Sequence, residues 1–356
     1  MTTPQSNLMQ SMTQLLANDG LPAKVFQLKN ANGVVATFMD LGATWLSCQV
    51  PVKGEMREVL LGTDTLEKVQ QSHGFLGVTV GRYANRINKG QFEIDGESYQ
   101  VPVNTSGHAL HGGKEGFDKR RWVVESASEQ KVVFSLVSQD GDQGFPGQLM
   151  VLLTYELTDN NQVEIHYRAK TDKPTIVNLT NHAYFNLMGA ESGEDCLSHI
   201  LSINAEQYLP IADDGIPLGE LDSVQETSFD FRSPKLVAQD WLSEQQQVQV
   251  SGYDHSFLLN RDCLTGECAA TVTSPDSLLT MKLFTTKPAV QLYTGNFVAG
   301  NPNRSGGKYE NHSGLALETQ YLPDSPNHPQ WPQGDIVLRP DEEYFHSTIY
   351  QFVVNA

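Results

Sequence analysis

The residues best equipped for chemistry in this chain fall into a few short strings. Residues 178–187, NLTNHAYFNL, carry the densest polar set: Asn178, Thr180, Asn181, His182, Tyr184 and Asn186. Read as an extended segment, Thr180, His182 and Tyr184 share one face while Asn181, Ala183 and Phe185 take the other. An imidazole between a hydroxyl and a phenol, on a face too polar for ordinary core, is suited to proton transfer. Residues 314–323, GLALETQYLP, set Glu318 in the middle of an apolar alternation. A carboxylate is costly to bury there unless it is paired or used, and burial makes it a stronger base once ionised. A solvent-facing glutamate on an amphipathic strand is the competing reading of that segment taken alone.

Four further strings are weaker singly. GYDHSFLL at 252–259 places Asp254 beside His255, and AVQLYTGNF at 289–297 puts Gln291 and Tyr293 on one face. A strand glutamine suits paired hydrogen bonds to vicinal hydroxyls, or an ordinary cross-strand contact. GRYANRINKG at 81–90 contains Arg82, Asn85 and Arg86. It lacks the G-x-G-x-x-G spacing and a βαβ setting, so a dinucleotide or phosphate loop is excluded. SGHALHGGKEGF at 106–117 spaces His108 and His111 as metal ligands on a helix would be. Its glycines oppose a helix, and no cysteine or acid nearby completes a tetrahedral set, so no metal is expected. Nucleophile-elbow, P-loop, zincin and EF-hand motifs are all missing.

The elements that must position these groups read as strands. Residues 34–39, 131–137, 150–157, 163–169, 175–179 and 278–284 are short and rich in β-branched or aromatic side chains. Turn signals separate them, including Asn32-Gly33, Asp95-Gly96, Asp140-Gly141 and Asp213-Asp214-Gly215. Helical patterns are brief, at 64–72 and 234–245. The expected fold is all-β: a large antiparallel sandwich with few short helices, not βαβ units. No linker divides the chain, so residues 21–356 read as one domain after an N-terminal extension, 1–20, that is either mobile or a short amphipathic helix. The glycine- and asparagine-rich stretch 300–314 is long enough to edge a binding site.

The formal net charge of −18, from 42 acidic against 24 basic residues, repels phosphate backbones and acidic membranes. A neutral small molecule is the compatible partner; nucleic acid and membrane are not. Four cysteines without C-x-x-C spacing read as reduced thiols, and no run of about 18 apolar residues marks a membrane span. With no basic-then-apolar leader pattern at residues 1–20, a cytoplasmic protein is expected.

In order along the chain, GRYANRI, LHGG, NLTNHAYFNL, GYDHSF, VQLYTGNF and GLALETQYLPDSPNHP together resemble the aldose 1-epimerase (galactose mutarotase) family. The resemblance implies a galactose mutarotase-like supersandwich with an open sugar cleft, acting without metal or organic cofactor. It implies interconversion of the α and β anomers of free aldohexoses such as D-galactose and D-glucose by a monomer or weak homodimer. Position by position, it places the catalytic base on Glu318 and the acid on His182. The substrate-binding set falls on Asn85, Arg86, His111, Asp254 and Gln291, with Tyr184 beside the acid.

Opening a hemiacetal takes a proton from the C1 hydroxyl and gives one to the ring oxygen, which calls for a base and an acid on opposite sides of one ring. For His182 to arrive protonated, its pKa must stay near the ordinary ~6.5, supported by Asp254 or Glu318. Two readings compete with this one. A glycoside hydrolase would use Asp254 and Glu318 as paired carboxylates, and a non-catalytic sugar-binding module would keep the cleft alone. A relative acting on hexose 6-phosphates would want more basic residues than this chain offers.

Overall fold

A computed structural model describes the backbone of residues 4–355. Three antiparallel sheets build the body of the molecule. The largest has nine strands, ordered Val123–Ala127, Lys131–Ser138, Leu149–Leu157, Gln162–Thr171, Tyr344–Val354, Leu279–Thr285, Ala270–Thr273, Ile200–Ile203 and Lys235–Leu236. Its strands alternate as a sheet covered on one side must: Leu149, Val151, Leu153, Tyr155 and Leu157 are buried, whereas Met150 and Leu152 are exposed.

Over the buried face lie the other two sheets. One has four strands, Val25–Lys29, Val35–Met39, Thr44–Val52 and Glu55–Glu58. The other has six, ordered Tyr184–Phe185, Leu315–Gln320, Ala289–Tyr293, Asp254–Leu259, Ala205–Leu209 and Asp222–Ser223. Large rings join the layers. Phe38 stacks on Tyr155 with centroids 4.2 Å apart, and Tyr350 packs against Trp45 at 5.7 Å and Phe185 at 5.0 Å. Tyr350 also donates its hydroxyl to the Leu317 carbonyl at 2.9 Å, and Thr319 meets Thr348 hydroxyl to hydroxyl at 2.5 Å. These contacts turn one face of the six-stranded sheet inward and leave its other face to form the floor of a cleft. The architecture is the antiparallel sandwich expected from the strand spacing.

Helices are short. The pattern at 64–72 gives helix Leu66–Gln71, whose first turn is capped by the Thr65 hydroxyl accepting from the Lys68 N–H. The pattern at 234–245 does not give a helix. There Lys235–Leu236 pairs with Ile200–Leu201 as the edge of the nine-stranded sheet, and a single turn, Gln245–Val248, starts later behind a Glu244/Gln247 capping box. Edge pairing and the cap together outweigh a periodic pattern only three turns long. Pro4–Thr13 is helical, and Met12 is buried with Met39, Leu46 and Leu66; residues 1–3 of the N-terminal extension lie outside the described residues. In the 300–314 stretch, the Asn301 side-chain oxygen accepts from the Ser72 hydroxyl and the His73 and Gly74 N–H groups at 2.7–3.2 Å. That stretch thus braces the segment carrying Phe75.

Leu317, 1% exposed, is the apolar side chain nearest in sequence to Glu318 on the inward face. Leu317→Ala is expected to cost about 2–5 kcal/mol through lost burial and a residual cavity. A lowered urea midpoint with unchanged far-ultraviolet dichroism checks this.

Candidate active site

Directly opposed residues of an antiparallel pair share a face, so the register of the six-stranded sheet determines which groups line the cleft. Glu318 lies opposite Gln291, Gln291 opposite Ser256, Tyr293 opposite Asp254 and Ala316, and Ala316 opposite Tyr184. Glu318, Gln291, Asp254 and Tyr184 therefore stand on the outer face, and Leu315, Leu317 and Thr319 on the inner one. The outer face is itself covered, since the whole strand Leu315–Gln320 is buried. Gln291 donates to Asp254 Oδ1 at 2.6 Å and accepts from the Ser256 hydroxyl, with Gln320 Nε2 3.4 Å away.

His182 stands over this floor. Its N–H donates to the Val78 carbonyl and its carbonyl accepts from the Gly77 N–H, both at 2.9 Å. Its Nε2 lies 3.5 Å from Glu318 Oε1. The alternation expected of 178–187 holds here: the Tyr184 ring is 4.9 Å from His182, while Asn181 turns inward and donates to the Tyr155 hydroxyl at 3.1 Å.

Two loops complete the wall. Gly112 has φ +88°, and a Cβ on it would lie 2.0 Å from the Gly81 carbonyl, so only glycine lets the LHGG string close on GRYANRI. The contact is sealed when the Asn85 N–H donates to His111 Nδ1 at 3.1 Å and the His111 N–H donates to the Asn85 carbonyl. The two arginines of the string separate. Arg82 is 1% exposed and points away, donating to Pro146, Gly147, Ser138 and Gln139 carbonyls as an internal strut. Arg86 faces the cleft, its Nη1 4.0 Å from Asp254 Oδ2. Each of Asn85, Arg86, His111, His182, Tyr184, Asp254, Gln291 and Glu318 thus contributes to one connected site.

His111, His182 and Glu318 hold potential metal-ligand atoms within 4.8 Å of one another. The hydrogen bonding does not fit a metal. A backbone N–H can only donate, so His111 Nδ1 is the acceptor and the neutral ring keeps its proton on Nε2, where a metal would need a lone pair. His111 presents a donor to the cleft instead. Burial, followed by repulsion from His182 and Arg86, holds its pKa well below the ordinary imidazole value.

The acid–base pair is similarly displaced. Burial, reinforced by the Asp254 charge and opposed by Arg86, raises the Glu318 pKa well above that of an ordinary carboxyl. Burial lowers His182 to about 4. Support for His182 from a neighbouring carboxylate is not what dominates: burial is the leading influence on the ring. The expectation of acid and base on opposite sides of a ring also gives way, because the two groups stand side by side. Glu318 Oε2 and His182 Nδ1 have no hydrogen-bond partner.

Sequence similarity now bears on this site. A family model described as aldose 1-epimerase matches residues 24–351. The chain belongs to the aldose 1-epimerase family. It is 49% identical to an aldose 1-epimerase of Escherichia coli over 96% of this chain and 98% of that one. It is 41% identical to a human galactose mutarotase, covering 95% of this chain and 96% of that one. Among solved structures, an aldose epimerase homologue from C. elegans superposes with a TM-score of 0.86 at 30% identity, over 94% of this chain and all of that chain. The fold is that of the family.

Some neighbours of the epimerase site were not singled out in the sequence. Phe75 stacks on His182 at 5.6 Å and meets His111 edge-on at 4.8 Å; no local signal marks it, since it comes from a loop. Ser256 and Gln320 were legible in principle, each two residues from Asp254 or Glu318 on the same strand face. For His111, nitrogen NMR at neutral pH is expected to show a neutral ring protonated on Nε2. A proton on Nδ1 would contradict the site's hydrogen-bond pattern.

Proposed function

We propose that Glu318 and His182 carry out the anomer interconversion of this aldose 1-epimerase, with Glu318 as base and His182 as acid in ring opening. The observation that carries this reading is the buried pair itself, Nε2 and Oε1 3.5 Å apart. The two oxygens that exchange protons in a hemiacetal are both bonded to C1. An acid and a base acting on them must stand side by side, as these do. Ring opening moves a proton from the C1 hydroxyl to Glu318 and one from His182 to the ring oxygen. At rest the one shared proton sits on Glu318. It moves to His182 when the closed sugar binds, giving the carboxylate and imidazolium that ring opening returns to carboxylic acid and imidazole. Ring closure on the other face of the aldehyde reverses both transfers.

Burial favours the neutral form of the pair, which is the form it has at rest and again while the sugar is open and turning about C1–C2. His111 Nε2–H supplies a further donor near the ring oxygen. Asn85, Arg86, Asp254 and Gln291 hold the remaining hydroxyls, and Tyr184 walls the acid. No step requires a metal or an organic cofactor.

The substrates proposed are free aldohexoses, D-galactose and D-glucose. A monomer or weak homodimer is proposed on the family resemblance. Free thiols at Cys48, Cys196, Cys263 and Cys268 support a cytoplasmic setting. Among the described residues, no helix is long and apolar enough to cross a membrane. A glycoside hydrolase using Asp254 is not favoured, because the family match and the relatives similar over nearly the whole chain are aldose 1-epimerases. A bare binding module is not favoured either, because both proton-transfer groups are in place.

Polarimetry on freshly dissolved α-D-galactose and α-D-glucose tests the reading: rotation is expected to relax far faster than in buffer, undiminished by a chelator. Glu318→Gln is expected to lower kcat by roughly 10²–10⁴-fold with KM changed only a few-fold; near-normal turnover would remove Glu318 as base.

The pair works with one shared proton, so the pH dependence of kcat/KM has two macroscopic limbs. Activity is expected to fall as pH drops through about 4, where His182 binds a second proton and no base remains. It is expected to fall again as pH rises through the elevated Glu318 pKa, where the shared proton is lost. An acid limb at an ordinary imidazole pKa would contradict this.

A further inference from the structure

Arg86 is held from a side that the acid–base pair does not explain. The turn at residues 212–216 closes on itself, with the Ala212 N–H donating to the Ile216 carbonyl and the Gly215 N–H to the Ala212 carbonyl, both at 2.8 Å. Gly215 has φ +81°, and a Cβ built on it would lie 2.6 Å from Arg86 Cζ and 2.7 Å from Nε. The turn therefore lies directly on the guanidinium. Arg86 Nε is buried beneath it without a hydrogen-bond partner, which leaves the Nη end of the fork, the end near Asp254, for a ligand.

The turn is fastened at both ends. At its root, Ile211 exchanges hydrogen bonds with the Gln246 side chain at 2.8 and 3.0 Å. Gln246 in turn contacts His255 Nε2 at 3.2 Å, next in sequence to Asp254. At its tip, Asp214 Oδ2 lies 3.1 Å from His108 Nε2. The Lys89 N–H donates to His108 Nδ1 at 3.0 Å, so a neutral His108 has its proton on Nε2 and donates it to Asp214. This bond does not require a charged histidine. It ties the turn to the strings on either side, one carrying Arg86 and the other His111. His108, with no function as a metal ligand, acquires one as a latch.

We propose that the 212–216 turn is a clamp that positions Arg86 for the sugar, with Gly215 admitting the guanidinium and the His108–Asp214 bond holding the turn against it. The inference rests on the sugar-binding part of the function proposed above and assigns Gly215, Asp214 and His108 as positioning residues rather than catalytic ones. Displacing the guanidinium weakens the grip on a hydroxyl without touching the acid or the base, so the clamp governs KM more than kcat.

The test is polarimetric kcat and KM, with calorimetric galactose affinity, for Gly215→Ala, Asp214→Ala and each of these combined with Arg86→Lys. Gly215→Ala is expected to raise KM and weaken affinity on the order of tenfold, the scale of one charge-assisted contact, with kcat nearly unchanged. Asp214→Ala, on a half-exposed turn and free of any added atoms, should fold normally and raise KM several-fold by the same route. In the Arg86→Lys background neither change should matter, since no guanidinium remains to be placed. Effects that persist in that background, or a kcat that falls in step with KM, would overturn the clamp. A wild-type protein that binds galactose without turning it over would overturn the epimerase mechanism instead, and the affinity pattern would still decide the clamp.

Discussion

Burying a carboxyl and an imidazole next to each other is expensive unless they need only one proton between them. Glu318, 2% exposed, and His182, 4% exposed, meet this condition. With water excluded, neither a lone carboxylate nor a lone imidazolium is well supported, and the neutral pair is the form that the surroundings favour. The rest of the molecule can be read as what this burial demands. The nine-stranded sheet covers the back of strand Leu315–Gln320 through Tyr350 and Thr348. The rings of Phe75, Tyr184 and Tyr293 close over His182. Asn301 braces the segment from which Phe75 projects.

That arrangement gives the mechanism its electrostatic direction. An acid and a base ready in fully charged form would be stabilised by water and slow to give up their charges. In a dry site, transfer to and from the sugar discharges the pair, so in the proposed mechanism the open aldehyde sits beside the same neutral pair as in the resting site. In the proposed mechanism the remaining polar groups leave C1 free. Asp254, Gln291 and Ser256 form one hydrogen-bonded row along the sheet, Arg86 faces it, and His111 is fixed by Asn85 as a neutral donor.

Much of this was legible in the sequence wherever a single strand carried it. The alternation of 315–320, 254–259 and 289–293 puts Glu318, Asp254 and Gln291 on one face, and pairing in register then brings them together. The turn signals gave the antiparallel sandwich. Other features depend on tertiary approach and have no local mark. Nothing in GRYANRI says that Arg82 is an internal strut and Arg86 a cleft residue, since that depends on which carbonyls surround each one. Phe75 and Gly215 matter through what they touch across the fold. The segment 234–245 misleads because its periodicity is helical while its partner is a sheet edge. The charge state of His182 is hidden for the same reason: a sequence shows a neighbouring carboxylate but not the loss of water around both.

The resting protonation state of the pair is the point on which the account turns. Carboxyl infrared difference spectra of wild type against Glu318→Gln, taken at neutral pH beside nitrogen NMR of His182, report it directly. The account predicts a protonated-carboxyl stretch that disappears in the variant, together with a neutral His182 ring. A carboxylate band and an imidazolium at that pH would show that the free site holds a true ion pair, and would contradict it.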